Sequence, residues 1–319
     1  MAKNPQQISE IILGMRAAYA NGANAMDWCR EHVRLTHSGR CENDLIATLV
    51  AYDLQSGSYV SLARSNPEGN LQWCRQLAGL LSGVLLEGDS VLEVGVGEAT
   101  TLAGVLEECA VKPSVALGFD VSWSRVSEGR KWLKEKGQEA YLYVADLLNI
   151  PLADKSVDVV YSSHSLEPNG GQEEVALREC LRVARKTVLL VEPIYELAST
   201  DAQERMRRHG YIEGLHETAH RLDAVITDYR LLDYTPNPLN PSGVLRLEKD
   251  GAPSSGADES QGIVFRCPIT RAGLAAGKDF YYAADVGLAY PVLRGVPMLR
   301  AEHAIVASKL GFEDLSQSH

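Results

Sequence analysis

The segment VLEVGVGEATTL (91–102) decides the fold of this chain. An apolar run leads into Gly95-Val96-Gly97, and a helical pattern begins near Ala99. Glycine permits a tight turn and lets a ligand come close to the backbone. The free N–H groups at the start of the helix favour an anionic group. The segment therefore predicts a ligand site between a strand and a helix.

Strand and helix patterns alternate around this segment, at intervals of about 25 residues. Such alternation is typical of a parallel sheet with helices on both faces. We predict a Rossmann-like α/β fold with seven mostly parallel strands, closed by a hairpin at one edge. The other predicted strands lie at 114–122, 140–145, 157–162, 187–195, 224–234 and 243–249.

Changes in residue composition and pattern along the sequence divide the chain into four parts. Residues 1–88 read as a helical extension or cap, and 89–249 carry the ligand-binding sheet. Within the latter, a helical pattern covers 199–222. The segment 250–262 is rich in Gly, Ser, Asp and Pro and reads as a linker. Residues 263–319 are turn-dense and β-like, which predicts a small separate module.

Charge and composition exclude several classes of function. The net charge is 31 minus 42, or −11, which argues against nucleic acid or an anionic membrane as a partner. No apolar run reaches the roughly 20 residues of a membrane helix. The first residues do not resemble a signal peptide, so we expect a cytoplasmic protein. The six cysteines form no CxxC pair, and we assign none of them to catalysis.

The glycine turn suits two classes of ligand, and two residues show which class the sequence favours. A dinucleotide site has the pattern GxGxxG, but its third glycine position holds Thr100. Glu93 ends the preceding strand, where a carboxylate would repel a pyrophosphate. S-adenosylmethionine instead brings an ammonium group that needs an acceptor. The pattern therefore favours S-adenosylmethionine over NAD.

Acidic residues follow the next two predicted strands. Asp120 lies 23 residues after Gly97, at a place where a carboxylate suits the ribose hydroxyls of either ligand. Asp146 follows the third strand and can accept from the adenine amino group, while Leu147 offers a backbone N–H. Ligands of open α/β sheets bind at the carboxyl ends of the strands, so these residues are expected to meet there.

Three motifs resemble those of class I S-adenosylmethionine-dependent methyltransferases, in the broad group that includes the quinone-biosynthesis enzymes. They are LEVGVGEATTL, FDVS and VADLLNIPLADKSVDVVYSSHSLE. The third glycine of the first motif is absent, and Ala99 lies near its place. The resemblance implies S-adenosylmethionine as cofactor. The cofactor contacts it predicts are Glu93, Gly95, Gly97, Thr100, Asp120, Val121, Asp146, Leu147 and Ser162.

The methyl acceptor is expected beyond the fourth strand, at SSHSLEPNGG (162–171). The Asn/Asp-Pro-Pro-Tyr/Phe signature of amino-directed members is missing there. His164 and Glu167 are the candidate catalytic residues, and His164 has an ordinary pKa near neutrality. A histidine that stacks on the cofactor or caps a helix is the alternative. A second Glu-Pro loop, VEPIYE (191–196), could frame a polar acceptor.

Two further segments give weaker signals. An N-terminal tyrosine often covers the cofactor in this family, which points to Tyr59 and then to Tyr52. The C-terminal residues resemble a zinc-ribbon-like activator domain of tRNA and protein methyltransferases, with only Cys267 left of four cysteines. A structural zinc site needs four ligands, so we expect no metal. The sequence leaves open whether this module packs on the sheet or shapes the acceptor pocket.

Several functions compete at this stage. The leading one is methylation of oxygen or nitrogen on a polar small molecule, such as a metabolite or a glycan precursor. An RNA or protein methyltransferase with a built-in activator-like module is the second. A non-catalytic cofactor-binding scaffold is the third, and a nicotinamide-dependent dehydrogenase is the fourth. The sequence does not define an oligomeric state.

Overall fold

The structure is a computed structural model, and it describes residues 5–36, 45–249 and 264–310. Within these ranges the chain forms ten α-helices and twelve β-strands. The helices are α1 (Pro5–Ala20), α2 (Ala25–Thr36), α3 (Leu45–Leu54), α4 (Ser58–Ser65), α5 (Pro67–Ser82), α6 (Thr100–Glu108), α7 (Trp123–Lys136), α8 (Glu173–Val183), α9 (Thr200–His209) and α10 (Leu215–Arg221). The strands are β1 (Ser90–Val94), β2 (Val115–Asp120), β3 (Tyr141–Val144), β4 (Val157–Ser163), β5 (Ala184–Pro193), β6 (Val225–Leu231), β7 (Ser242–Glu248), β8 (Ala275–Ala276), β9 (Phe280–Ala283), β10 (Leu288–Leu293), β11 (Val296–Pro297) and β12 (Ile305–Val306).

Seven strands form the central sheet in the order β3-β2-β1-β4-β5-β7-β6. The first five of these strands run parallel, and β7 is antiparallel to both β5 and β6. The predicted Rossmann-like fold and its edge hairpin are therefore confirmed. Strand order reverses between β1 and β4, and open α/β sheets bind their ligands at such a switch point.

Both faces of the central sheet are buried, which explains its apolar strands. Alternate residues of a strand point to opposite faces. Leu92 and Val94 of β1 accordingly belong to one core cluster, while Val91 belongs to the other. Helices cover each face, and burial on both sides is what parallel strands require.

The helical pattern over 199–222 corresponds to two helices. α9 ends at Gly210, whose φ is +66°, and α10 begins after Gly214, whose φ is +69°. Glycine adopts this left-handed conformation at no steric cost, so the chain turns there. The basic run 205–209 lies at the end of α9, where positive charges interact favourably with the helix dipole.

The C-terminal strands β8–β12 form a small second sheet that packs against the β3 edge of the central one. The Leu299 N–H donates to the Val144 carbonyl at 2.8 Å. Phe265 and Tyr290 are part of the same apolar core as β1 and β2. Residues 264–310 therefore pack on the sheet, and none of them lines the large cavity described below. The predicted linker 250–262 lies outside the described residues.

Candidate functional site

A cavity of about 730 Å³ lies at the carboxyl edge of the central sheet. The structure brings eleven of the predicted site residues into its wall: Tyr59, Glu93, Gly95, Gly97, Thr100, Asp120, Val121, Asp146, Leu147, His164 and Glu167. Tyr52 lines it as well. Ser162 does not line the cavity, because it is fully buried. Ser163 lines it instead. Adjacent strand residues face opposite sides, so only one of the two serines can reach the cavity.

The glycine turn supplies the backbone of one wall. Gly95 and Gly97 have φ values of +67° and +53°. A Cβ atom on Gly95 would lie 2.2 Å from the Cβ of Ser165, so no larger residue fits there. Ala99 has a φ of +54° at the start of α6. An alanine thus adopts the left-handed conformation near the place of the missing third glycine, and such strain is typical of functional sites.

Glu93 lies at the base of the cavity and is only 2 % exposed. The Tyr161 hydroxyl donates to its Oε2 at 2.5 Å. Burial raises the pKa of Glu93 to about 8, although the bond from Tyr161 opposes the shift. A cationic ligand beside this carboxyl would draw the pKa back down, because it favours the ionised form.

The other two predicted carboxylates differ in their surroundings. Asp120 ends β2, and its two oxygens accept from the N–H groups of Gly97, at 3.1 Å, and Ser122, at 2.8 Å. It therefore fixes the glycine turn as well as lining the cavity. Asp146 follows β3, and its Oδ1 accepts from the Leu148 N–H at 2.9 Å. Its second oxygen accepts no hydrogen bond from the described residues, so it is available to a ligand.

Helices α3 and α4 cover the glycine turn. The Tyr59 ring lies 3.5 Å from where a Gly97 Cβ would be. Glu98 is fully buried and accepts from the N–H groups of Gly57, at 2.9 Å, and Val60, at 2.8 Å. The start of α4 is thereby tied to the turn beneath it. This arrangement places an N-terminal tyrosine over the predicted cofactor position.

His164 and Glu167 lie together on the loop after β4. His164 Nδ1 is 3.4 Å from Glu167 Oε2, and Nε2 is 2.7 Å from the Ser242 hydroxyl. His164 has a φ of +55°, an uncommon conformation held by the surrounding structure. Burial lowers the pKa of His164 to about 4. Burial and the nearby Glu192 raise the pKa of Glu167 to about 8, so the proton of this pair is on the carboxyl at neutral pH.

The two Glu-Pro loops have different roles. Glu192, at the end of β5, accepts backbone N–H bonds from Ser165, Leu166 and Glu167 at 3.0–3.1 Å. It therefore holds the loop that carries His164 and Glu167 in shape. Tyr195 and Glu196 face away from the cavity: Glu196 accepts from the Gly214 N–H. Of the segment VEPIYE, only Glu192 supports the loop at which the acceptor is expected. That the segment frames the acceptor stays a prediction.

Sequence reasoning missed several residues that line the cavity. Trp73 of α5 donates from its indole N–H to Ser163 at 3.2 Å and meets His164 edge to face. Asn240 donates to Glu167 Oε2 at 3.1 Å. Arg125 projects from the first turn of α7. No motif marks these residues, because they reach the cavity from separate helices and from the loop between β6 and β7.

The residues present fit S-adenosylmethionine. The left-handed glycine turn leaves backbone space, and the start of α6 provides N–H groups for a carboxylate. Glu93 provides an acceptor for an ammonium group, and Asp120 and Asp146 lie where ribose and adenine would be held. A cavity of about 730 Å³ is within the usual range for small-molecule sites.

Residues 91–187 match the family model described as a methyltransferase domain. This segment is a methyltransferase domain. S-adenosylmethionine is its cofactor, as the resemblance in the sequence implied. The match covers β1 to β5, which carry Glu93, Asp120, Asp146 and the His164 loop.

Solved methyltransferase structures are similar to the enzyme in part. An S-adenosylmethionine-dependent methyltransferase from Aquifex aeolicus has a TM-score of 0.40 and 15 % identity, over 53 % of this chain and 87 % of that one. Magnesium protoporphyrin IX methyltransferase (ChlM) from Synechocystis PCC 6803, with bound SAH, has a TM-score of 0.42 and 13 % identity, over 71 % of this chain and 96 % of that one. Comparison with curated proteins finds no match.

Two further features of the described residues bear on the predictions. No group of three or more His, Cys, Asp or Glu side chains there is placed to hold a metal ion. Cys267 lies 3.2 Å from the Tyr290 hydroxyl. The absence of zinc stays a prediction, which metal analysis of the purified protein would check. None of the helices in the described ranges is long and apolar enough to span a membrane.

Proposed function

We propose that the enzyme transfers a methyl group from S-adenosylmethionine to an oxygen or nitrogen atom of a polar small molecule. The finer resemblance to quinone-biosynthesis methyltransferases and a cytoplasmic location remain part of this proposal. The observation that supports it is the polar, uncharged character of the part of the cavity near His164 and Glu167. Its wall there includes Asn66, Asn70, Trp73, Tyr234, Asn237 and Asn240.

Two separate parts of the chain supply the amide side chains of this wall. Asn66 and Asn70 begin α5, and Asn237 and Asn240 come from the loop between β6 and β7. These amide side chains, together with the rings of Trp73 and Tyr234, make a polar but uncharged surface. Such a surface suits a small acceptor with hydrogen-bonding groups.

The protein's contribution to the reaction is positioning and proton removal. The bound cofactor supplies an electrophilic methyl group on a positively charged sulfur. The wall of the cavity holds the acceptor in line with that methyl group, and such orientation contributes roughly 7–11 kcal/mol. The His164–Glu167 pair accepts the acceptor's proton as the new bond forms. A positioned base of this kind contributes about a hundred- to ten-thousand-fold in rate.

Transfer of a labelled methyl group tests this function. The full-length enzyme and the labelled cofactor are mixed with a cell extract separated into small solutes, RNA and protein. Label in the small solutes is expected, and it should appear at least tenfold more slowly with the His164→Ala variant. Label only in RNA or only in protein would contradict the small-molecule proposal. No transfer into any fraction would favour a non-catalytic cofactor-binding protein.

A further inference from the structure

Arg125 is a buried arginine without an ion pair. Its side chain is 3 % exposed and lines the cavity. Among the described residues, no carboxylate oxygen lies within 4.0 Å of its guanidinium. It is also the only lysine or arginine in the described lining of the cavity. A cation removed from water in this way requires an anion or several strong hydrogen bonds.

The protein itself gives Arg125 weak partners. Its Nε donates to the Tyr52 carbonyl and its Nη2 to Gln55 Oε1, both at the long distance of 3.4 Å. The guanidinium lies 4.4 Å from the Tyr52 ring centre and 4.5 Å from that of Tyr59. Aromatic rings stabilise a guanidinium at its faces but leave its N–H edge free to bind a carboxylate. The Tyr59 side chain also interacts with the guanidinium through its hydroxyl. These neutral partners hold the guanidinium in place without neutralising its charge.

The nearest acidic residue is already engaged. Asp120 acts on Arg125 through its charge, but its two oxygens accept from the backbone N–H groups of Gly97 and Ser122. Arg125 Nη1 lies 3.9 Å from where a Cβ of Gly97 would be. The free edge of the guanidinium is thus beside the glycine turn and the start of α6.

S-adenosylmethionine has a single anionic group, the carboxylate of its methionyl part. We propose that Arg125 binds this carboxylate, together with the N–H groups at the start of α6. This inference rests on the proposed function, since it concerns the same cofactor. It makes Arg125 the residue that selects ligands with the carboxylate over those without it.

Calorimetry with two ligands tests the role of Arg125. One ligand is S-adenosylhomocysteine, and the other is the same molecule with hydrogen in place of the carboxylate. We expect Arg125→Gln to weaken S-adenosylhomocysteine binding at least tenfold and to change binding of the decarboxylated ligand less than twofold. Arg125→Lys should fall between wild type and Arg125→Gln, because lysine keeps the charge but not the planar fork.

Lys131→Gln is the matched control. It removes one positive charge from the exposed side of the same helix and should leave both affinities unchanged. Equal weakening of both ligands by Arg125→Gln would overturn the proposal and show a structural role. If that variant fails to fold, Arg125→Lys decides by the same comparison. Equal affinity of the wild type for the two ligands would also overturn the proposal for Arg125. If the wild type binds neither ligand, the proposed function itself is overturned.

Discussion

At the scale of single residues, we propose that the His164–Glu167 pair removes the proton of the methyl acceptor. The Glu167 carboxyl is near His164, Glu192, Asn240, Arg205 and Tyr211. Its pKa, raised to about 8 by burial and by Glu192, exceeds the ordinary value. The pair therefore retains a proton at neutral pH and becomes a competent base as the pH rises past 8.

We expect turnover at saturating cofactor to increase as the pH rises through about 8. Glu167→Gln should lose this increase and turn over at least tenfold more slowly, and His164→Ala should be at least tenfold slower. Both should bind S-adenosylhomocysteine within a few fold of the wild type. Initial rates between pH 6 and 9 measure the effect. Wild-type rates in both variants would remove the pair from the mechanism.

Site residues at strand ends were predictable from the sequence, whereas Arg125 and Glu98 were not. Glu93, Asp120 and Asp146 each follow an apolar run, and parallel strands bring their carboxyl ends to one edge. Arg125 and Glu98 act through partners in α3 and α4, far away in the sequence. No local pattern encodes which side chains meet across such distances.

At the scale of elements, Glu98 fastens α4 to the glycine turn. We expect Glu98→Ala to lower the free energy of unfolding by about 1–3 kcal/mol, because the N–H groups of Gly57 and Val60 lose their acceptor. S-adenosylhomocysteine binding should weaken as well, since Tyr59 loses its support. Urea denaturation and calorimetry measure the two effects. Glu107→Ala, an exposed change on α6, is the control, and equal behaviour of the two variants would contradict the account.

Residues just before the C-terminal sheet hold the loop after β3 in place. Asn149 donates to the Pro268 carbonyl at 2.8 Å, and Arg271 donates to the Ile150 carbonyl at 2.9 Å. This loop carries Asp146 into the cavity. We expect Asn149→Ala to weaken S-adenosylhomocysteine binding severalfold in calorimetry, and the exposed Lys278→Ala to leave it unchanged. Unaltered affinity of Asn149→Ala would show that the loop holds its shape alone.

The order of elements was more predictable than their packing. Periodicity defined the seven strands of the central sheet, because each buried strand is an apolar run of its own. The break between α9 and α10 was missed because the helical spacing continues across Gly210 and Gly214. The place of the C-terminal sheet depends on contacts such as that of Leu299 with Val144, which no periodicity reveals.

At the scale of the whole molecule, buried carboxyls make stability depend on pH. The pKa values of Glu93 and Glu167 are raised to about 8 and that of Glu192 to about 7, mainly by burial. Between the ordinary carboxyl pKa of 4.5 and the raised values, the folded state therefore binds more protons than the unfolded state. The contribution of these carboxyls to stability falls as the pH rises through that interval. His164, with a pKa lowered to about 4, changes stability only below its unfolded value near 6.5.

We accordingly expect the melting temperature of the ligand-free enzyme to fall between pH 6.5 and 8. Glu167→Gln should show a smaller fall, because one of the three protons is no longer involved. Calorimetric melts in buffers of equal ionic strength measure both. A melting temperature that stays constant or rises over this interval would contradict the assignment of these carboxyls as protonated when folded.

We infer that one cavity holds S-adenosylmethionine between main-chain N–H groups and the carboxylates of Glu93, Asp120 and Asp146. Calorimetric titration of S-adenosylhomocysteine into the wild type and into Glu93→Gln, Asp120→Asn and Asp146→Asn tests it most directly. The account predicts one binding site per chain, no comparable binding of NAD, and at least tenfold weaker binding in each variant. Unchanged affinity in all three variants, or NAD binding as tight as that of S-adenosylhomocysteine, would contradict it.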